Sequence, residues 1–169
     1  MRKFYRYVGP AEIGSRVAGH PAGQEIASMG DLVPWVRDTS QQPDRSGLIA
    51  ATFVIDADGR LRIADRRSEH IACAGGGLVL SAGEMFFRIE GELVEVVEVS
   101  NQSTGFCPEP ESWPAVAAAL EQVGVPHPGR FTTEIVFRRC PQCGERNIVK
   151  DKWFVCGVCG SELPKEWNF

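Results

Sequence analysis

The chain has 169 residues, with 18 Lys and Arg against 22 Asp and Glu for a formal charge of -4. That length holds one hydrophobic core and a small appended module, which excludes a large multidomain machine. The acidic balance excludes a global basic field for nucleic acid or an anionic membrane, and 18 Gly with 11 Pro predict a fold rich in turns.

The first residues, Met1-Arg2-Lys3-Phe4-Tyr5-Arg6-Tyr7, carry positive charge but no apolar stretch of signal length before Gly9-Pro10, so secretion is not expected. Apolar runs such as residues 116–120 fall far short of the ~20 residues a membrane-spanning helix needs. The expected setting is cytoplasmic and reducing, with no membrane partner. Six Cys are present, and four form two close pairs, a spacing that suits a metal better than disulfide bridges.

In chain order, residues 4–8 alternate loosely and read as a strand. Pro10 is well placed to open a short helix over 11–17. Ser28 is a cap for a second helix bearing Leu32, Val33, Trp35 and Val36, kept to a few turns by Pro34. Residues 50–55 and 60–64 flank Asp56-Ala57-Asp58-Gly59, which is hairpin chemistry. Residues 84–89 and 93–99 predict a second hairpin, with a bulge or two-sided burial where the alternation slips at Val97. Ser112, Pro114 and Gly124 bracket the clearest helix, whose buried face is Val116, Leu120 and Val123. Residues 132–137 predict a strand that leads into the cysteines.

Cys140-Pro141-Gln142-Cys143-Gly144 and Cys156-Gly157-Val158-Cys159-Gly160 are the most specific feature, with 12 residues between the pairs. Two residues between ligands let both thiolates reach one ion, and the glycine after each pair lets the backbone turn back toward the sulfurs. Residues 147–150 and 153–155 read as two strands around Asp151, a hairpin that brings the knuckles together. Over residues 137–163 the chain resembles the zinc ribbon family. The resemblance implies a structural Zn2+ held by Cys140, Cys143, Cys156 and Cys159, with no open position for water. Iron on the same four thiolates stays open, as do free or bridged cysteines. Arg138, Arg139, Arg146, Lys150 and Lys152 with Trp153 and Phe154 offer a basic, aromatic face for nucleic acid. A solvated ribbon with Phe154 packed inside is favoured, since the net excess of charge is only two.

A second dense region is Ser68-Glu69-His70-Ile71-Ala72-Cys73 with the glycines 75–77, followed by Asn101-Gln102-Ser103-Thr104-Gly105-Phe106-Cys107-Pro108. His70, Cys73, Ser103 and Cys107 are candidate ligand-binding residues if the two loops meet. A buried Cys and a hydrogen-bonded His shaping turns is the favoured reading of the same residues. His70 and its glycines, Ala82-Gly83-Glu84 and the segment from Ser100 to Pro108 are similar to a small module found in some bacterial polymorphic-toxin-associated proteins and in plant calmodulin-binding proteins. That module covers 68–124 here, and Thr104-Gly105-Phe106-Cys107 departs from its Ser-Gly-His-Tyr element. What the resemblance implies is a strand-rich body whose loops converge.

The expected fold is α+β, with an antiparallel, strand-rich body over residues 1–130 and a zinc ribbon over 131–169 packed against it. The expected function is that of a zinc-binding adaptor with a protein partner. The alternatives are an enzyme or toxin-like effector using His70 and Cys107, and nucleic-acid binding through the ribbon.

Overall fold

Strand β2 (Ile49–Asp56) is buried along seven of its eight residues, and that burial organises the molecule. A strand apolar on both faces needs cover on both faces. In the computed structural model, which describes residues 1–169, β2 sits at the centre of a five-stranded antiparallel sheet. The sheet order is β1 (Gln24–Ile26), β3 (Leu61–Asp65), β2, β4 (Val79–Glu90) and β5 (Leu93–Ser100). The architecture is α+β, as the sequence predicts, with few short helices and a cysteine cluster toward the end of the chain.

One face of β2 gives Ala51, Phe53 and Ile55 to the main core, where they meet Met85 and Phe87 from β4 and Val96 and Val99 from β5. Helix α2 (Met29–Asp38) covers this face with Leu32 and Val36, and helix α4 (Trp113–Val123) covers it with Val116, Leu120 and Val123. The face predicted for α4 is therefore the face it buries. Asp31 sets the start of α2 by accepting the N–H groups of Ala27 at 2.9 Å and Ser28 at 3.1 Å. Pro34 lies inside this helix without preventing its ten residues from forming.

The opposite face carries a smaller core of Tyr5, Val54, Ile71, Cys73, Val79, Ala82 and Phe106, with Tyr7, Ile13, Val17 and Trp167 packed around it. Helix α1 (Ala11–Val17) and the single turn α3 (His70–Cys73) lie here. The predicted strand over residues 4–8 is reduced to one bridge, Tyr5 with Val79. Val8 donates to the Gly105 carbonyl at 2.7 Å, so this segment runs from the first residue of β4 to the loop at 101–108 without forming a strand of the sheet. The bulge at Val97 is present, because Phe86 faces Glu98 while Phe87 faces Val96. Ser112 is not a side-chain cap; its hydroxyl pairs with that of Ser81 at 2.9 Å, both buried.

After α4 the chain returns to the sheet. Thr132 N–H donates to the Val99 carbonyl at 2.8 Å, and Phe131 is part of the main core. A two-stranded sheet of β6 (Val136–Arg139) and β7 (Arg146–Val149) follows. Here the pairing differs from the predicted hairpin: β7 pairs with β6 across the first cysteine pair, whereas residues 153–155 make only the bridge of Val155 with Glu162. The turn at Asp151 does form. Trp153 N–H reaches the Lys150 carbonyl at 2.8 Å, with Asp151 and Lys152 at φ of 52° and 58°. The sequence predicts a reversal around Asp151, but the partner of β7 is decided by the knuckle that joins it to β6.

Candidate metal centre

The two cysteine pairs fold as copies of one knuckle. Cys140 N–H donates to the Glu145 carbonyl at 2.8 Å and Gly144 N–H to the Cys140 carbonyl at 2.9 Å. In the second, Cys156 N–H donates to the Ser161 carbonyl at 2.8 Å and Gly160 N–H to the Cys156 carbonyl at 3.0 Å. Both turns close through a left-handed glycine, Gly144 at φ 78° and Gly160 at φ 74°. A side chain would be strained at each.

The knuckles bring four sulfurs together, all within 4.8 Å of one another. Across the pair, Cys140 and Cys159 are 3.5 Å apart and Cys143 and Cys156 are 3.6 Å apart. A disulfide needs about 2.05 Å, and all six cysteines of the chain are free. Four sulfurs at about 2.3 Å from a tetrahedral centre would stand about 3.8 Å apart. The observed separations fit that geometry, and the four cysteines are positioned to hold a metal ion. Cys140 and Cys156 are buried, while Cys143 and Cys159 face solvent.

The surroundings favour the thiolate at Cys156 and Cys159 and oppose it at Cys143. The backbone N–H groups of Cys159 and Val158 pull the Cys156 thiol down to about 6, and Asn147 adds to this. The Ser161 hydroxyl lowers Cys159. Cys143 feels the lowering pull of the Glu145 N–H, but desolvation and the other three sulfurs push it up to about 12. Four anions cannot share so small a space unaided, and a cation removes the conflict.

Asn147 is the residue that sequence reasoning missed. Its Nδ2 lies 3.4 Å from the Cys156 sulfur, while its Oδ1 accepts the Gly157 N–H at 2.9 Å. It thus ties β7 to the second knuckle and orients Cys156, one of the four clustered cysteines. Its only signal in the sequence is a polar residue among the apolar positions of a short strand. A small core lies beneath, formed by Cys140, Cys156 and Leu163 with Val149 and Phe154 against it.

The loop candidates take the following positions. The loops at 70 and 101 approach one another around Gly83. The Gly83 carbonyl lies 2.9 Å from His70 Nε2, and since a carbonyl only accepts, Nε2 carries the proton. On the other side the Ser100 carbonyl would sit 1.8 Å from a Cβ at position 83, so only glycine fits there. Burial lowers the His70 pKa below its ordinary 6.5 and keeps the ring neutral. Cys73 points elsewhere, toward the Arg62 carbonyl at 3.5 Å, and burial raises its thiol to about 12. Ser103 and Cys107 share one turn: Cys107 N–H donates to the Ser103 carbonyl at 2.7 Å, and Phe106 N–H to the Ser103 hydroxyl at 3.3 Å. Burial raises Cys107 to about 12 as well, against the nearby Arg146 and Arg139.

Asn101 is the best-satisfied polar group of this region. Fully buried, its Nδ2 donates to the Pro108 carbonyl at 2.9 Å and the Ile135 carbonyl at 2.8 Å, and its Oδ1 accepts Ile135 N–H at 2.7 Å. It joins the body to the segment entering β6. Arg146 bonds the Thr104 carbonyl, and Trp167 Nε1 donates to the Cys107 carbonyl at 2.8 Å. No helix is long and apolar enough to cross a membrane. Comparison with protein families, with curated proteins and with solved structures gives no match to this chain.

Proposed function

We propose that the chain is a zinc-binding interaction protein whose ion is structural, and that residues 131–169 form a zinc ribbon docked on the body at 1–130. The observation that carries this reading is the convergence of four sulfurs in two matched knuckles. Four protein ligands fill a tetrahedron and leave no position for a reacting water. The ion therefore acts by holding shape. Zinc is preferred over iron because a redox-silent ion suits a site that only fastens a fold, although both accept four thiolates.

A protein partner fits the exposed apolar groups that the module presents. Trp153 and Val158 are each 70% exposed, and Ile148 of β7 is partly so. Aromatic groups of this kind anchor interfaces. Of the five cations proposed for nucleic acid, three are already engaged. Arg138 holds the Pro164 and Lys165 carbonyls, Arg139 the Gly144 carbonyl and Arg146 the Thr104 carbonyl. Lys150 and Lys152 alone give a weak electrostatic footprint. For a reaction at His70 and Cys107, the raised thiol and the neutral, carbonyl-bound imidazole offer no ready nucleophile.

The test is metal analysis of the purified full chain. One zinc per chain, replaceable by cobalt with thiolate charge-transfer bands and tetrahedral visible bands, is the expected result. Stoichiometric iron, or a chain that holds no metal and keeps its fold over 136–163, overturns the reading.

A further inference from the structure

Lys3 rests in an unusual setting for an exposed lysine. Its ammonium lies 3.8 Å from the centre of the Trp167 ring and 5.5 Å from that of Tyr5. These rings meet edge to face, at an interplanar angle of 83° and a centroid distance of 5.5 Å, so they form two walls of a corner. The Glu109 carboxylate closes the corner by pairing with the same ammonium, and the Tyr5 hydroxyl lies 3.5 Å from that carboxylate. Two aromatic faces and one carboxylate around a cation are the elements of an ammonium cage.

On the side of Tyr5 and Glu109 the corner borders a cavity of about 750 Å³. Lys3, Tyr5 and Glu109 line one end, and Leu80, Ala115 and Ala118 supply an apolar wall. Glu111, on the same wall, is in no ion pair. Many of the lining residues are polar, with Arg2, Asp58, Ser112 and Gln122 beside the two glutamates, so the cavity offers one apolar wall for a hydrocarbon and several groups that fix orientation. Here the fixed group is a cation site, and its present occupant is a flexible side chain 45% exposed to solvent. Tethering by a four-carbon stem makes Lys3 a readily displaced occupant.

We propose that the corner of Tyr5, Trp167 and Glu109 is a binding site for an organic ammonium with an apolar body, and that Lys3 fills it in the free protein as an internal stand-in. A ligand places its ammonium where the Lys3 amine lies and its hydrocarbon along Leu80, Ala115 and Ala118. Methylated ammonium groups suit the site best, since they shed water easily and cover both rings. The site is separate from the four cysteines, and its failure would leave the metal reading intact.

The experiment titrates butyltrimethylammonium into the full-length protein and into Lys3→Ala, following the Trp167 indole N–H by NMR. Lys3→Ala empties the corner and is expected to bind about tenfold tighter than the parent. Adding Glu109→Gln to Lys3→Ala should weaken binding about tenfold, and adding Trp167→Phe, read from broadening of the probe's own N-methyl signal because the indole reporter is gone, should weaken it less, because a smaller ring still offers a face. A neutral probe with the same branched head, 3,3-dimethylbutanol, should not shift the indole signal. Equal shifts from the neutral probe, or no ammonium-dependent shift in a folded Lys3→Ala, overturn the proposal.

Discussion

The two sheets of this chain are held by different physics. The five-stranded sheet buries large apolar groups on both faces, Phe53, Phe87, Ile55, Ile63 and Leu120 on one and Tyr5, Val54 and Phe106 on the other. The β6–β7 pair has a core of three residues, two of which are cysteines. A hairpin with so little apolar burial is marginal in water. What the difference teaches is that one part of the chain draws its order from hydrophobic burial, while the other has little apolar burial and four cysteines positioned to hold a metal ion. The two parts should therefore fail under different treatments.

The largest expected effect comes from removing the ion. A structural zinc site supplies roughly 10–16 kcal/mol of binding free energy that doubles as folding free energy. Chelation, or Cys140→Ser with Cys156→Ser, should collapse the amide resonances of residues 136–163 while those of β2 and β4 stay dispersed. A tail that remains ordered without metal would erase the distinction. Next is Phe53→Ala in the main core, which should cost about 3–5 kcal/mol in urea unfolding and leave metal affinity unchanged. A change in metal affinity there would show that the two parts share one cooperative unit.

Asn101→Ala probes the joint. It orphans the Pro108 carbonyl and both backbone groups of Ile135, and about 2–3 kcal/mol of destabilisation is expected, with weaker docking of the tail seen as faster hydrogen exchange at residues 132–139. Asn147→Ala should lower metal affinity about 10–100-fold in a competition with a chromophoric chelator, since outer partners of metal ligands commonly carry that much. Its effect on urea unfolding of the main sheet should be within error.

The smallest effect is in acid. His70 has a folded pKa below its ordinary 6.5, so the unfolded chain takes up a proton first. Stability from this group is present above about 6.5 and lost as pH falls from there toward the folded pKa. His70→Gln should flatten that limb of the stability curve measured on metal-depleted protein, where ligand protonation does not intervene. An unchanged limb would mean that burial of this ring is not felt. Tyr5, Cys73 and Cys107 act oppositely. Each is raised to about 12 by burial, so their contribution fades in alkali above the ordinary thiol and phenol values.

How much of this was legible in the sequence depends on how local the signal is. The cysteine pairs were fully readable, because ligand spacing and the following glycines encode a knuckle within five residues. The α4 face, the two sheet hairpins and the slip at Val97 follow from periodicity over short windows. The partner of β7 did not follow, since strand choice turns on contacts beyond the window. Residues 4–8 misled for a related reason: their alternation is that of a strand, but Tyr5 and Tyr7 serve the second core and meet Trp167 and Phe106. Asn101 and Asn147 carry only faint signals, a place in a polar loop and a polar residue in a short strand. Each works through backbone groups far along the chain, and only folded coordinates bring those partners together.

The Asn101 side chain has a consequence for anyone wishing to separate the two parts. An amide that both gives and receives at Ile135 imitates a neighbouring strand, so the last rung of the large sheet is written in a side chain. Scissors placed after residue 130 would remove that rung together with Phe131, which is 4% exposed and plugs the bottom of the main core. An excised body needs its chain carried past Ile135, and an excised cysteine-bearing tail must do without the surface on which its entry strand was laid.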